Sequence, residues 1–349
     1  MSTQEQDDPI GAAARRLFND IFDDASARRL APGPTDPSLV DGCWAQCVEG
    51  GFVHALLAEA QGGIGLTLPE FFSTALAAGA CASPLPVVHT ALFLRLLADT
   101  GAADTVLPDG PITYAERLTA NDGVMSAVNV PWAQVSRWAL AQTAHGVWLL
   151  PIDQHASDMR TLVCQGTEPG AWQAAGGRAL SVDADTLRSV AAAGYSVLLA
   201  GVLERMLAMT VQYAGERQQF GKPIGRFQAI QQQISAMAER VIAARMAAQM
   251  GFTDDIYARR QDSLAVAKAI TSEVVPMATS IAHAVHGAIG VTEEYALQRY
   301  SGVAHAWRGA AGGEVFWRRW IGQRVLADSA LPRDFLRTHL AGVRVVDAA

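Results

Sequence analysis

At 349 residues, half of them hydrophobic and 17% charged, the chain has enough apolar material for a large core and two or three domains. A formal net charge of −7 excludes a nucleic-acid binder built on a basic stripe. Four cysteines are too sparse for a disulfide framework. Cys43 and Cys47, four apart, read as small buried hydrophobes on one helix face, and too few further ligands lie near them to hold a metal.

The N-terminus, MSTQEQDDPIG, is acidic and polar, unlike a signal or transit peptide, so a cytoplasmic protein is expected. Ala12 to Phe22 is rich in helix formers. Residues 28–40 hold three prolines and a glycine and are expected to form a loop. Thr67 followed by Glu70 is a capping box at a helix start. The stretch Phe71 to Leu94 carries no formal charge, yet its prolines Pro84 and Pro86 would break a spanning helix, which predicts two buried helices with a turn rather than a membrane segment. From about residue 108 the period shortens. Pro111 to Tyr114 and Val147 to Leu150 read as strands, and Asn121-Asp122-Gly123 as a hairpin turn. Long helices return from Asp183, and Asp183 or Asp185 can cap a helix reaching about Tyr213. A second is expected over Gln228 to Phe252 with Ile230, Ile234, Met237, Val241 and Met246 on one face, a third over Leu264 to Val285, and a fourth from Glu314 to about Leu326. The pattern predicts an α+β fold: an N-terminal helical domain (1–107), a small β-domain (108–182) and a C-terminal four-helix bundle with a tail (183–349).

The most specific string is Arg217-Gln218-Gln219-Phe220-Gly221-Lys222-Pro223-Ile224-Gly225-Arg226-Phe227-Gln228. It resembles the segment joining the first two bundle helices of acyl-CoA dehydrogenases. Val285 to Tyr295 resembles that family's glycine turn between the third and fourth helices, and Gln61 to Leu66 its N-terminal domain. The resemblance implies flavin-dependent α,β-desaturation of an acyl-CoA, with an electron acceptor such as an electron-transfer flavoprotein. It also implies that Arg217, Gln219, Phe220, Ile224, Phe227, Gln228 and Gly287 contact the ADP half of an FAD held by a neighbouring subunit. Arg217 would offer its planar fork of donors to the pyrophosphate, and Gly287 would let backbone approach closely.

The departures are as informative as the matches. Removal of the substrate α-proton needs a carboxylate base. The two places where the family keeps it fall at Ala191 and Ala310, and neither Ser189 to Tyr195 nor Trp307 to Gly313 contains Asp or Glu. Glu314 is the nearest catalytic candidate, although a first-turn glutamate paired with Arg318 is the plainer reading. The family's flavin-ring markers are missing from the β-domain: Thr167-Glu168-Pro169 reads as a chance turn, and Ala284 and Ala288 replace a glutamine and a glycine of the turn. Losing the parts that serve its own flavin while keeping the part that serves a neighbour's fits one subunit of a heteromeric α2β2 enzyme, as known for steroid and bile-acid side-chain degradation. The alternatives are a self-sufficient homomeric enzyme with Glu314 as base, or a non-enzymatic acyl-CoA-binding or structural paralogue.

Overall fold

The computed structural model describes residues 8–22, 30, 36–101, 106–157, 161–253, 257, 261–328 and 333–335. Among the described residues, four α-helices come first: α1 (Pro9–Ile21), α2 (Pro37–Glu49), α3 (Leu68–Ala80) and α4 (Val87–Thr100). The predicted loop therefore ends earlier than expected. Asp36 accepts a hydrogen bond from the Ser38 N–H and Pro37 takes the first helical position, where its missing N–H costs nothing. The rest of that stretch, apart from Leu30, lies outside the described residues, as does most of the acidic N-terminus. Cys43 and Cys47 are buried in α2, and all four cysteines are buried thiols. The capping box forms as read: Glu70 N–H donates to Thr67 and the Thr67 N–H to Glu70. The uncharged stretch becomes α3 and α4, both largely buried.

Strands β1 (Ile112–Ala115), β2 (Thr119–Asn121), β3 (Val124–Val128), β4 (Trp138–Thr143), β5 (Gly146–Pro151), β6 (Thr161–Gln165) and β7 (Arg178–Leu180) follow. They form a four-stranded sheet ordered β1-β4-β5-β7 and a three-stranded sheet ordered β2-β3-β6. The expected hairpin is β2–β3, with Asn121 opposite Val124. Asp122 and Gly123 both have positive φ, the two-residue turn whose twist matches the strands. Glu168 and Pro169 do not simply turn the chain: Pro169 opens a short helix, α5 (Pro169–Ala174), whose Trp172 packs edge-on to Trp148 at 5.0 Å.

The centre of the molecule is α6 (Ala184–Glu216), 33 residues long and capped by Asp183, which accepts from the Thr186 N–H. From Ser189 to Leu203 it is buried on all sides, as a helix with apolar residues all round must be; 94% of its most apolar stretch lies inside the protein. It crosses α3 with backbones nearly touching. A Cβ on Gly201 would lie 2.2 Å from the Leu76 carbonyl oxygen, and one on Gly79 2.4 Å from that of Leu198.

After the small hairpin β8 (Gln218–Gln219) and β9 (Lys222–Pro223) come α7 (Gln228–Gly251), α8 (Asp262–His286), α9 (Leu297–Gly309) and α10 (Glu314–Ala327). Two sequence expectations change here. Met246 is exposed, with Ile242 and Met250; the buried row of α7 is Met237, Val241, Ala244 and Ala248, about half a turn away. The second is α9, which the pattern did not predict. Its inward positions, Leu297, Tyr300, Ser301, Ala304 and Trp307, keep helical spacing, but small and polar residues among them hide the periodicity.

Candidate functional site

The Arg217–Gln228 string folds as a protruding arm. The chain leaves α6 at Arg217 and turns at Phe220 (φ +50) and Gly221 (φ +78). It returns with the Ile224 N–H donating to the Arg217 carbonyl at 2.8 Å. Gln219 pairs with Lys222 across the hairpin. The Phe220 ring meets Phe227 edge-on at 6.1 Å and the Lys222 ammonium lies 4.4 Å above the Phe227 ring. Phe220 is nevertheless 90% exposed, and Arg217 and Gln228 are exposed too. A phenyl ring held in water at left-handed φ is costly twice over, in surface and in backbone. Among the described residues Arg217 makes no ion pair. An uncovered ring beside a free guanidinium fork suits an anionic, partly apolar ligand supplied from outside the chain.

Gly287 lies at the same end of the bundle. Its neighbour His286 stacks on Tyr213, one turn before Arg217, at 4.5 Å. Gly287 has φ +65, and a Cβ there would meet nothing within 4 Å. Within this chain, then, the glycine is required by backbone conformation and not by close approach.

Glu314 sits elsewhere. It starts α10, and the neighbouring Phe316 ring lies 5.0 Å from the Arg188 guanidinium near the start of α6. Arg188 and Arg217 are separated by 29 residues, roughly 44 Å of helix at ~1.5 Å per residue. Glu314 does not pair with Arg318, which instead binds Glu273. Its partner is Arg308, through both guanidinium Nε (3.1 Å) and Nη2. That bond holds the carboxyl below its ordinary pKa, against partial burial. A carboxylate held low by a bidentate guanidinium is a weak proton acceptor. Beside it Lys268 is fully buried, with Nζ donating to Ser272 Oγ (2.9 Å), the Trp307 carbonyl (3.3 Å) and the Arg308 carbonyl (2.9 Å). Burial pulls Lys268 down to about 7, with Glu314 opposing. The ammonium caps the last turn of α9, where the helix dipole favours a cation. The corner in which a base was sought at Ala310 is thus built around the Arg308–Glu314 ion pair and a buried lysine.

The other base position, Ala191, faces an aromatic cluster at the meeting point of the three regions. The His89 Nε2 of α4 bonds the Ala191 carbonyl at 3.1 Å. The His89 ring lies 4.1 Å from Tyr195 of α6 and 5.2 Å from Trp132, in the link between β3 and β4. Trp132 stacks on Tyr195 (5.8 Å, 5° between planes) and meets Trp307 of α9 at 5.7 Å. His89 and Tyr195 are fully buried. Burial pushes the His89 imidazole down to about 3 and the Tyr195 phenol well above its ordinary value. Both are neutral at pH 7, and neither is a competent base for an α-proton. His89, Trp132, Tyr195, Trp307 and Lys268 were not singled out from the sequence. Only Lys268 left a trace, a lone charge among apolar residues at helical spacing.

Residues 189–326 match the family model described as acyl-CoA dehydrogenase, C-terminal domain. Over that stretch, the chain is similar to the C-terminal domain of acyl-CoA dehydrogenases. It is 36% identical over 105 residues to acyl-CoA dehydrogenase IpdE2 of Mycolicibacterium smegmatis, covering 30% of this chain and 32% of that protein. With acyl-CoA dehydrogenase FadE27 of Mycobacterium tuberculosis it shares 30% over 177 residues, 47% of this chain and 46% of the relative. These matches span from a third to a half of the relatives' length. Similarity of fold extends further. The ChsE4-ChsE5 complex from Mycobacterium tuberculosis superposes with a TM-score of 0.75 at 21% identity, covering 95% of this chain and 99% of that one. A Tcur3481-Tcur3483 steroid ACAD variant gives 0.76 at 22%, covering 93% and 99%.

Proposed function

We propose that this chain is one subunit of a cytoplasmic, flavin-dependent acyl-CoA dehydrogenase that desaturates an acyl-CoA between its α and β carbons, and that it completes the FAD site of a homologous catalytic subunit. The observation that carries this reading is the contrast between the two ends of α6. The arm at one end presents Arg217 and Phe220 uncovered. At the other, both expected base positions lack a carboxylate and the space beside them is filled by side chains of the chain itself. The exposed arm suits FAD bound by a neighbour, and the lack of a carboxylate at both positions argues against a complete site within this chain.

In this reading Arg217 binds the pyrophosphate, and Gln219 adds a polar contact. Phe220, Ile224 and Phe227 cover the apolar parts of the ADP moiety, with Gln228 and Gly287 completing the groove. FAD, when bound, supplies the acceptor for the substrate's β-hydride. The partner contributes the carboxylate that takes the α-proton, and an electron-transfer flavoprotein is the expected acceptor afterwards. The heteromeric ChsE4-ChsE5 neighbour supports an α2β2 arrangement, and the steroid ACAD neighbour supports a steroid or bile-acid side chain as substrate. The pairing of Glu314 with Arg308 disfavours the homomeric alternative. The test is to purify the chain alone and with a co-expressed homologous subunit. Alone it should carry no flavin absorbance and reduce no dye with acyl-CoA. Robust turnover by the lone chain would overturn the proposal.

A further inference from the structure

The aromatic cluster between α4, α6, α9 and the β3–β4 link has three properties that ordinary core packing does not require. The first is strain. Trp132 holds φ +61, a left-handed conformation that is costly for a bulky residue and persists where the surroundings impose it. The second is a pair of polar atoms without partners. Tyr195 Oη and His89 Nδ1 are buried and have no hydrogen-bond partner among the described residues. Because His89 Nε2 faces the Ala191 carbonyl, that nitrogen carries the proton, and Nδ1 is left as an acceptor. The pair is a neutral donor beside a neutral acceptor, and such atoms are rarely left unmatched in a core. The third is the tightness of the fit against α6. A Cβ on Gly194 would come within 2.9 Å of His89 Nε2, so the helix surface there is shaped to admit the imidazole.

We infer that Trp132 plugs this chain's own ligand cleft, its indole occupying the space that a neutral acyl thioester would enter. Trp132 is well suited to the task. Its Nε1–H donates to the Ser83 carbonyl at 3.1 Å, which ties the β3–β4 link to the turn between α3 and α4. It stacks on Tyr195 and meets Trp307 at a tilt. Behind it the Tyr195 hydroxyl is the donor a thioester carbonyl would need. Around it the side chains are mostly aromatic, His89, Tyr195 and Trp307, with the buried Lys268 behind Trp307 donating to its carbonyl, a lining suited to an acyl group. The inference deepens the proposed function, on which it rests: it makes the substrate site of the assembly the partner's alone.

The experiment is calorimetric titration of the purified full-length chain with butyryl-CoA, in the wild type, Trp132→Ala and Trp132→Phe. The wild type and Trp132→Phe should show no saturable binding. Trp132→Ala should bind, and millimolar indole, which refills the space, should suppress that binding. Saturable binding by the wild type as tight as that of Trp132→Ala would overturn the proposal, because nothing would then be plugged. So would a folded Trp132→Ala chain that binds indole but no butyryl-CoA, because the space would then not be a ligand cleft. Should Trp132→Ala fail to fold, Trp132→Leu carries the same comparison. The arm is tested separately, by FAD affinity in the complex, so either result can fail without the other.

Discussion

Arg217 and Glu314 are the two charged candidates the sequence offered, and their surroundings are opposite. Arg217 is uncovered and without an ion pair among the described residues, whereas Glu314 is gripped by Arg308. Losing one partner of a charge-assisted hydrogen bond costs about 1.5–3 kcal/mol, roughly tenfold to a hundredfold in affinity. Arg217→Ala should therefore weaken FAD binding by that factor in the co-purified complex, and Arg217→Lys should recover only part, since an ammonium lacks the planar fork. Unchanged FAD affinity in an intact complex would return Arg217 to the role of a solvated helix-end charge. Glu314→Gln should leave turnover of the complex within about twofold, because the corner it serves is structural, while lowering stability by roughly 1 kcal/mol. A collapse of turnover at full FAD content would make Glu314 the base. His89 gives a prediction in pH. Its folded pKa is about 3 against an ordinary 6.5, so between those values the unfolded chain binds the proton and the folded chain does not. Stability should then be fully present above pH 6.5 and fall as pH drops toward 3, by up to about 1.4 kcal/mol per pH unit from this group. His89→Gln, which does not titrate there, should show a shallower decline in urea midpoint between pH 7 and 4.

Among the elements, α6 was the most legible and is the least tolerant of change. Its length, its Asp183 cap and its apolar character all follow from adjacent residues, because a helix that must be buried on every side leaves a long uninterrupted signature. Its contact with α3 left none. Nothing in the sequence marks Gly79 and Gly201 as partners, since they come together only when two backbones cross. Gly201→Ala should cost about 1–3 kcal/mol or more, because the intruding methyl meets a carbonyl oxygen rather than a movable side chain. A thermal midpoint unchanged from wild type would show that the helices can separate freely. The arm was legible for the opposite reason: six of its seven proposed contacts lie within twelve consecutive residues, so local spacing carried the whole pattern. Helix α9 and the exposed stripe on α7 were misread because small residues, and an apolar face turned to solvent, broke the link between hydrophobicity and burial.

At the scale of the molecule, the α+β fold could be read from the sequence, but the filled cleft could not. His89, Trp132, Tyr195 and Trp307 come from three separate regions, and only the folded chain brings them into one cluster. Sequence reasoning could see that carboxylates were missing at Ala191 and Ala310. It could not see that an imidazole lies against one position and that a buried ammonium braces the corner holding the other. A cavity left by a missing side chain and a cavity filled by another have the same sequence but different chemistry. The first could be repaired by restoring a glutamate; the second could not. Ala191→Glu should accordingly not restore turnover to the lone chain, and it should destabilise the fold, since an unpaired carboxylate would be forced against His89 in a dry interior. Dye reduction by the purified Ala191→Glu chain above the wild-type background would refute this.

The four buried cysteines have a use of their own. Burial raises the Cys47 and Cys164 thiols to about 12 and that of Cys81 to about 11, so in the folded chain they are poor nucleophiles shielded from reagents. A thiol that reacts only when its surroundings open acts as a timer for that opening. Cys47 sits in α2 and Cys164 in β6, so the two timers run in different parts of the chain. Labelling with a small disulfide reagent, followed by mapping of the modified peptides, would show whether the N-terminal helices and the β-sheet loosen together or separately. Adding the partner subunit would then reveal which of them assembly slows.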